Sequence, residues 1–139
     1  MSAKPFVDTN ILVYAHDIAL GRKHARASSL VSEFWEAGGA IISTQVLQEL
    51  CVSLQRKTTR PISGEALRVL VEDYARWQVV VNTSESVLRA LDFKDRYQIS
   101  FWDALVVQAA IIGGAEILYS EDLADGQQYG EVRVVNPLK

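Results

Sequence analysis

A chain of 139 residues, 49% hydrophobic and 22% charged, has the length and composition of an ordinary globular protein with one proper core. It has no apolar run near the roughly 20 residues that span a bilayer. Its one cysteine, Cys51, excludes an intramolecular disulfide framework, and adding two histidines does not make a conventional structural zinc site. The net charge of −3 argues against broad, non-specific nucleic-acid binding, but it allows acids gathered at one place with bases elsewhere.

Met1-Ser2-Ala3 leads straight into a strand, Lys4–Asp8, with no secretory signal, and the lone cysteine suits a reducing cytoplasm. The strand ends on a carboxylate and breaks at once into an amphipathic helix through Thr9-Asn10-Ile11-Leu12-Val13-Tyr14. A helix over His24–Ala37 carries Leu30, Val31, Phe34 and Trp35 at helical spacing, and Gly38-Gly39 stops it. Ala40–Ser43 is the second strand. The helix Thr44–Lys57 follows, with Val46, Leu47, Leu50, Cys51 and Leu54 as one stripe.

After a turn at Thr59-Arg60-Pro61, Ser63 caps a helix that runs to about Trp77, with Leu67, Leu70, Val71 and Tyr74 inward. Gln78–Val81 is a strand, Ser84–Tyr97 and Ser100–Ile112 are consecutive helices, and Glu116–Tyr119 and Val132–Val135 are the last two strands. Strands that are apolar on consecutive residues belong to a parallel sheet covered on both faces. The expected fold is therefore α/β: a central parallel sheet of about five strands flanked by helices, as one domain over residues 1–139. Trp35, Trp77 and Trp102 read as core.

Four acids stand beside or inside apolar segments: Asp8, Glu49, Asp103 and Asp122. Each also has a plainer reading. Asp8 can cap the helix after it, and Asp103 can form a capping box with Ser100. Asp122 can be a solvated loop acid, with Glu121 and then Asp125 as rivals for any functional role. Glu49 can be a solvated flank residue. Their combination carries the argument, because strand-end acids and acids near helix starts can meet at one edge of a parallel sheet. Two carboxylates about 4 Å apart repel by roughly 4 kcal/mol at an effective dielectric near 20, so such a cluster calls for shared protons or a divalent cation. All-oxygen ligands point to Mg²⁺ or Mn²⁺.

Asp8-Thr9-Asn10, Glu49 after Ser43-Thr44-Gln45, Asp103 within Phe101-Trp102-Asp103-Ala104, and Ser120-Glu121-Asp122 resemble, in order and approximate spacing, the acidic motifs of PIN-domain ribonucleases. Length and build look most like the VapC-type toxins of prokaryotic toxin–antitoxin pairs. The resemblance implies a PIN-like fold and a Mg²⁺-dependent endoribonuclease, with Mn²⁺ able to substitute. It also implies a homodimer, neutralised by a cognate antitoxin protein, that leaves 5′-phosphate and 3′-hydroxyl ends. It assigns Asp8, Glu49, Asp103 and Asp122 to the catalytic metal site, where a divalent ion would activate water for attack on phosphorus. Thr9, Asn10 and Ser120 would orient those acids.

RNA phosphates would be steered by Arg22-Lys23-His24 with Arg26 and by Arg56-Lys57 with Arg60; Lys94 and Arg96 are weaker candidates. His16 and His24 read as surface or packing residues. Two alternatives remain at this point. One is a catalytically silent PIN-like module that binds RNA or protein; the other is a receiver-like phosphoacceptor domain, which needs a lysine after a late strand that this chain does not supply.

Overall fold

The computed structural model describes residues 4–56 and 60–139. Lys57, the Thr59 end of the expected turn and the first three residues lie outside that description.

The elements follow the expected order. β1 (Pro5–Val7) leads into α1 (Thr9–Ala15), and after a short 3-10 turn comes α2 (Arg22–Glu36). β2 (Ile41–Ser43) runs into α3 (Thr44–Arg56), followed by α4 (Gly64–Tyr74) and β3 (Gln78–Val80). α5 (Ser84–Tyr97) and α6 (Phe101–Ile112) lead to β4 (Ile117–Tyr119), β5 (Gln128–Tyr129) and β6 (Val132–Val135).

The sheet has the order β3-β2-β1-β4-β6-β5, so among the described residues it holds six strands rather than five. The extra strand, β5, pairs antiparallel with β6 at the edge through a hairpin whose Gly130 takes a positive φ of 57°. The other strand pairs are all parallel. The central strands are apolar on both faces because helices cover both: Phe6, Val7, Ile42 and Leu118 are fully buried.

Local chemistry sets the helix ends. Ser63 and Ser100 cap α4 and α6 by accepting N–H bonds from Ala66 and Asp103. After α2 the chain turns through Gly38 and Gly39 at φ 98° and 107°. A Cβ on Gly39 would come within 2.7 Å of the Trp77 ring, so this turn needs glycine for space as well as for conformation. Within α6, Ala104 to Ala110 are buried, including Gln108. The Gln108 amide is satisfied by Asn82 Oδ1, the Leu105 carbonyl and Arg89 Nε, which ties α6 to α5.

Two of the tryptophans do not fit the core reading. Trp77 is buried, but Trp35 is 40% exposed and Trp102 is 62% exposed. Trp35 lies against Trp77 and Tyr74 at the rim of the core, where one indole face keeps its packing and the other meets water. Trp102 sits in the first turn of α6, before that helix goes under its neighbours. Among the described residues no helix is long and apolar enough to cross a membrane.

From β1 the chain crosses to β2 on one side of the sheet, while β4 inserts on the other. Strand order thus reverses between β1 and β4, the place where open α/β sheets form crevices beyond the strand ends. Val7 pairs with Tyr119, and the Asp8 N–H donates to the Tyr119 carbonyl at 3.0 Å. Asp8 and Ser120 therefore leave the sheet side by side.

Candidate functional site

Asp8 caps α1 from the end of β1. One carboxylate oxygen accepts the Thr9 N–H and the other accepts the Ser120 hydroxyl, both at 2.8 Å, and the residue is only 6% exposed. The next two residues reach other acids. The Thr9 hydroxyl donates to Glu49 Oε1 on α3 at 2.8 Å, and Asn10 Nδ2 donates to Asp122 Oδ2 at 3.0 Å. Ser120 is fully buried, and its Oγ accepts the N–H groups of Asp122 and Leu123, which folds the chain after β4 back over Asp8. Thr9, Asn10 and Ser120 thus each hold a different one of the acids.

Asp103 sits in the first turn of α6, where its N–H is taken by the Ser100 cap. Its carboxylate, with those of Asp8, Glu49 and Asp122, lines a single cavity of about 420 Å³. Thr9 and Asn10 complete that side. Gln45, Gln48, Val52, Ser53, Trp102 and Val106 line the rest of its wall. No lysine or arginine lines it among the described residues.

The electrostatics follow from that wall. Desolvation pushes the Asp8 carboxyl up from 3.8 to about 6; the hydrogen bonds from Ser120 and Thr9 oppose the rise, and the charges of Asp122 and Glu49 add to it. The Asp122 carboxyl is also raised, first by desolvation and then by the charges of Asp103 and Glu121, against the Asn10 hydrogen bond. The acids therefore feel one another across the cavity.

Glu121, the rival of Asp122, is held elsewhere. It accepts the Tyr14 hydroxyl at 2.5 Å and pairs with Lys23 at 2.7 Å, and Lys23 lies 5.0 Å from the centre of the Tyr14 ring. Desolvation would raise its carboxyl, but Lys23 and Tyr14 outweigh this and hold it below the usual range. Asp125 accepts the Asn136 N–H and pairs with Lys139, away from the cavity. None of the proposed phosphate-steering bases within the described residues lines the cavity: Lys23 serves Glu121, Arg26 donates to the Lys139 carbonyl, and Arg22, Arg56 and Arg60 are exposed. His16 bonds the Tyr74 hydroxyl at 2.6 Å and His24 the Tyr14 carbonyl at 2.9 Å, both packing roles.

The donor set is four carboxylates around one cavity with no cation of its own, and it fits a hard divalent ion in chemistry. As placed, the carboxylates surround the space rather than converge. Among the described residues no three His, Cys, Asp or Glu side chains form a ready-made metal cluster. Hydrogen bonds from Thr9, Asn10 and Ser120 occupy both oxygens of Asp8 and one each of Glu49 and Asp122.

Sequence reading missed the neutral residues that line the cavity beside the acids. Gln45, Gln48, Glu49 and Val52 recur at helical spacing along one side of α3, and that spacing was the available signal. Gln45 is nearly buried; its Nε2 donates to the Trp102 carbonyl at 3.3 Å, and its Oε1 finds no partner among the described residues.

A family model described as the PIN domain matches residues 6–124. The chain belongs to the PIN domain family. The matched span of this PIN domain runs from β1 to just past Asp122 and so includes all four acids. Its fold is similar to that of a toxin–antitoxin complex from Klebsiella pneumoniae, with a TM-score of 0.69 at 18% identity, covering 96% of this chain and 98% of that one. It is also similar to the crystal structure of Mycobacterium tuberculosis VapC20, a toxin that cleaves the sarcin–ricin loop. There the TM-score is 0.66 at 22% identity, covering 94% of this chain and 99% of that one. At these identities the likeness is one of fold. No curated protein matches the chain.

Proposed function

We propose that this PIN domain, with residues 1–139 as one unit, is a metal-dependent endoribonuclease. In this reading it is the toxin of a toxin–antitoxin pair, a cytoplasmic homodimer restrained by a cognate antitoxin. The observation that carries the reading is the meeting of Asp8, Glu49, Asp103 and Asp122 around one cavity at the reversal of strand order. Family membership and the folds of a toxin–antitoxin complex and an RNA-cleaving toxin support it.

Asp8 and Asp103 would hold Mg²⁺, or Mn²⁺ in its place, with Glu49 and Asp122 contributing directly or through water. When bound, such an ion supplies Lewis-acid polarisation of a phosphodiester and lowers the pKa of an attacking water. The chain's own part is to hold the acids in place. Ser120 and the Thr9 N–H fix Asp8, the Thr9 hydroxyl fixes Glu49, and Asn10 fixes Asp122.

A second reading is a silent module that binds RNA or protein without cutting RNA, and it draws on the lack, among the described residues, of three clustered metal-ligating side chains. Incubation with defined RNAs in Mg²⁺ or EDTA, beside Asp103→Asn, separates the two. Cleavage should need the metal and be lost in the variant, and unchanged cleavage by Asp103→Asn would reject the assignment. Mn²⁺ at about 100 times its Kd should stabilise the original chain by about 2.7 kcal/mol. The rise in Tm should be smaller for Asp103→Asn, and equal rises would remove the metal site.

A further inference from the structure

Trp102 is the exposed aromatic of the acidic cavity. It stands next in the chain to Asp103, keeps 62% of its surface open, and meets Phe101 edge-on with ring centres 5.3 Å apart. Its backbone is tied to α3 by the amide of Gln45. On the same wall Val52 is 49% exposed, and Gln48 and Ser53 add neutral donors and acceptors.

The charge of the cavity restricts what can lie against that wall. Without a bound divalent ion, four carboxylates and, among the described residues, no lining base repel phosphates. A nucleic acid entering there is held by flat apolar faces and neutral hydrogen-bonding groups, the surfaces that grip unpaired bases.

We propose that Trp102 is the stacking platform of a nucleobase subsite. An unpaired base beside the phosphate in the acidic cavity lies on its indole, with Gln48 and Ser53 at the base's edge. The proposal rests on the endoribonuclease reading and adds to it one residue that holds the substrate. A base stacked within a duplex has no free face to offer.

The test uses the full chain with fluorescein-labelled single-stranded and duplex oligoribonucleotides in Ca²⁺, a divalent ion that offsets the acids, read by fluorescence anisotropy. Trp102→Leu should weaken single-strand binding roughly 5- to 100-fold, while Trp102→Phe, which keeps an aromatic face, should lose much less. Duplex RNA should not distinguish the three proteins. With the unaltered chain in Mg²⁺, an abasic residue walked along a cleaved single strand should depress cutting at one position beside the scissile bond.

Equal single-strand affinity for all three proteins, or abasic substitution without effect, would overturn the subsite. So would Trp102→Leu turning a dimer into a monomer at unchanged RNA affinity, which would assign the surface to a second copy. If the original chain cuts RNA and Trp102→Leu cuts it equally well below saturation, the subsite falls and the nuclease stands. If RNA binding depends on Trp102 but no metal produces cleavage, the subsite survives and the nuclease reading falls.

Discussion

Replacing Asp8 with asparagine removes a buried negative charge while keeping the side chain's size, so it separates electrostatic cost from packing. The Asp8 carboxyl is raised from 3.8 to about 6 in the folded chain. At about 1.4 kcal/mol per unit, that costs the metal-free fold about 3 kcal/mol once the group is ionised. Because the folded value lies above the unfolded one, the folded state keeps its proton longer. The cost is absent below about pH 4, grows as pH rises towards 6, and is complete above it.

Asparagine keeps the bond from the Thr9 N–H. Its amide would, however, point a donor at Ser120 Oγ, which already accepts from Asp122 and Leu123. That mismatch costs about 1 kcal/mol. The variant should therefore be about 2 kcal/mol more stable than the original at pH 7.5 and about 1 kcal/mol less stable near pH 4. Urea denaturation in EDTA across that range measures the difference directly. Stability curves that run parallel from pH 4 to 7.5 would show that Asp8 is not desolvated as described.

Gly39→Ala should cost about 2–4 kcal/mol, from a positive φ together with a Cβ 2.7 Å from Trp77. Gly38→Ala has a similar φ but open space around it and should cost only about 1 kcal/mol; equal losses in urea would remove the Trp77 contact as the cause. Tyr14→Phe should lower stability by about 1 kcal/mol by freeing Glu121 on one side, with little dependence on salt. A loss that disappears in high salt would assign the effect to the Lys23 ion pair instead.

Most strands were legible because burial on both faces writes consecutive apolar residues into the chain, as at Ile41-Ile42 and Ile117-Leu118. β5 was not, since Gln128 and Tyr129 are too few to show a pattern and pair only because the hairpin at Gly130 returns them to β6. The end of α4 was placed late because Trp77 continues the apolar spacing after Tyr74, although the chain has already turned towards β3. Hydropathy could not separate Trp102 from the core, because an apolar helix reads the same whether or not its first turn projects past its neighbours. Asp8 and Asp122 stood out as carboxylates where apolar strands end and Asp103 as the one charge of an apolar helix, whereas Glu49 on its helix flank stood out only in company with them. The Tyr14–Glu121 contact and the wall of Gln45, Gln48 and Val52 depend on how α1, α3 and α6 lie relative to one another, which no local pattern records.

The cavity is closed by residues far apart in synthesis. Ser120 and Asp122 reach Asp8 and Asn10 only after β4 has slotted in beside β1, near the middle of the sheet. A nascent chain that has released its first three acids but not β4 has Asp8 without its Ser120 bond and the pocket without Asp122. Ribosome-bound fragments ending before β4 should therefore lack the acidic pocket altogether, and the assembled pocket arises only when translation is nearly complete.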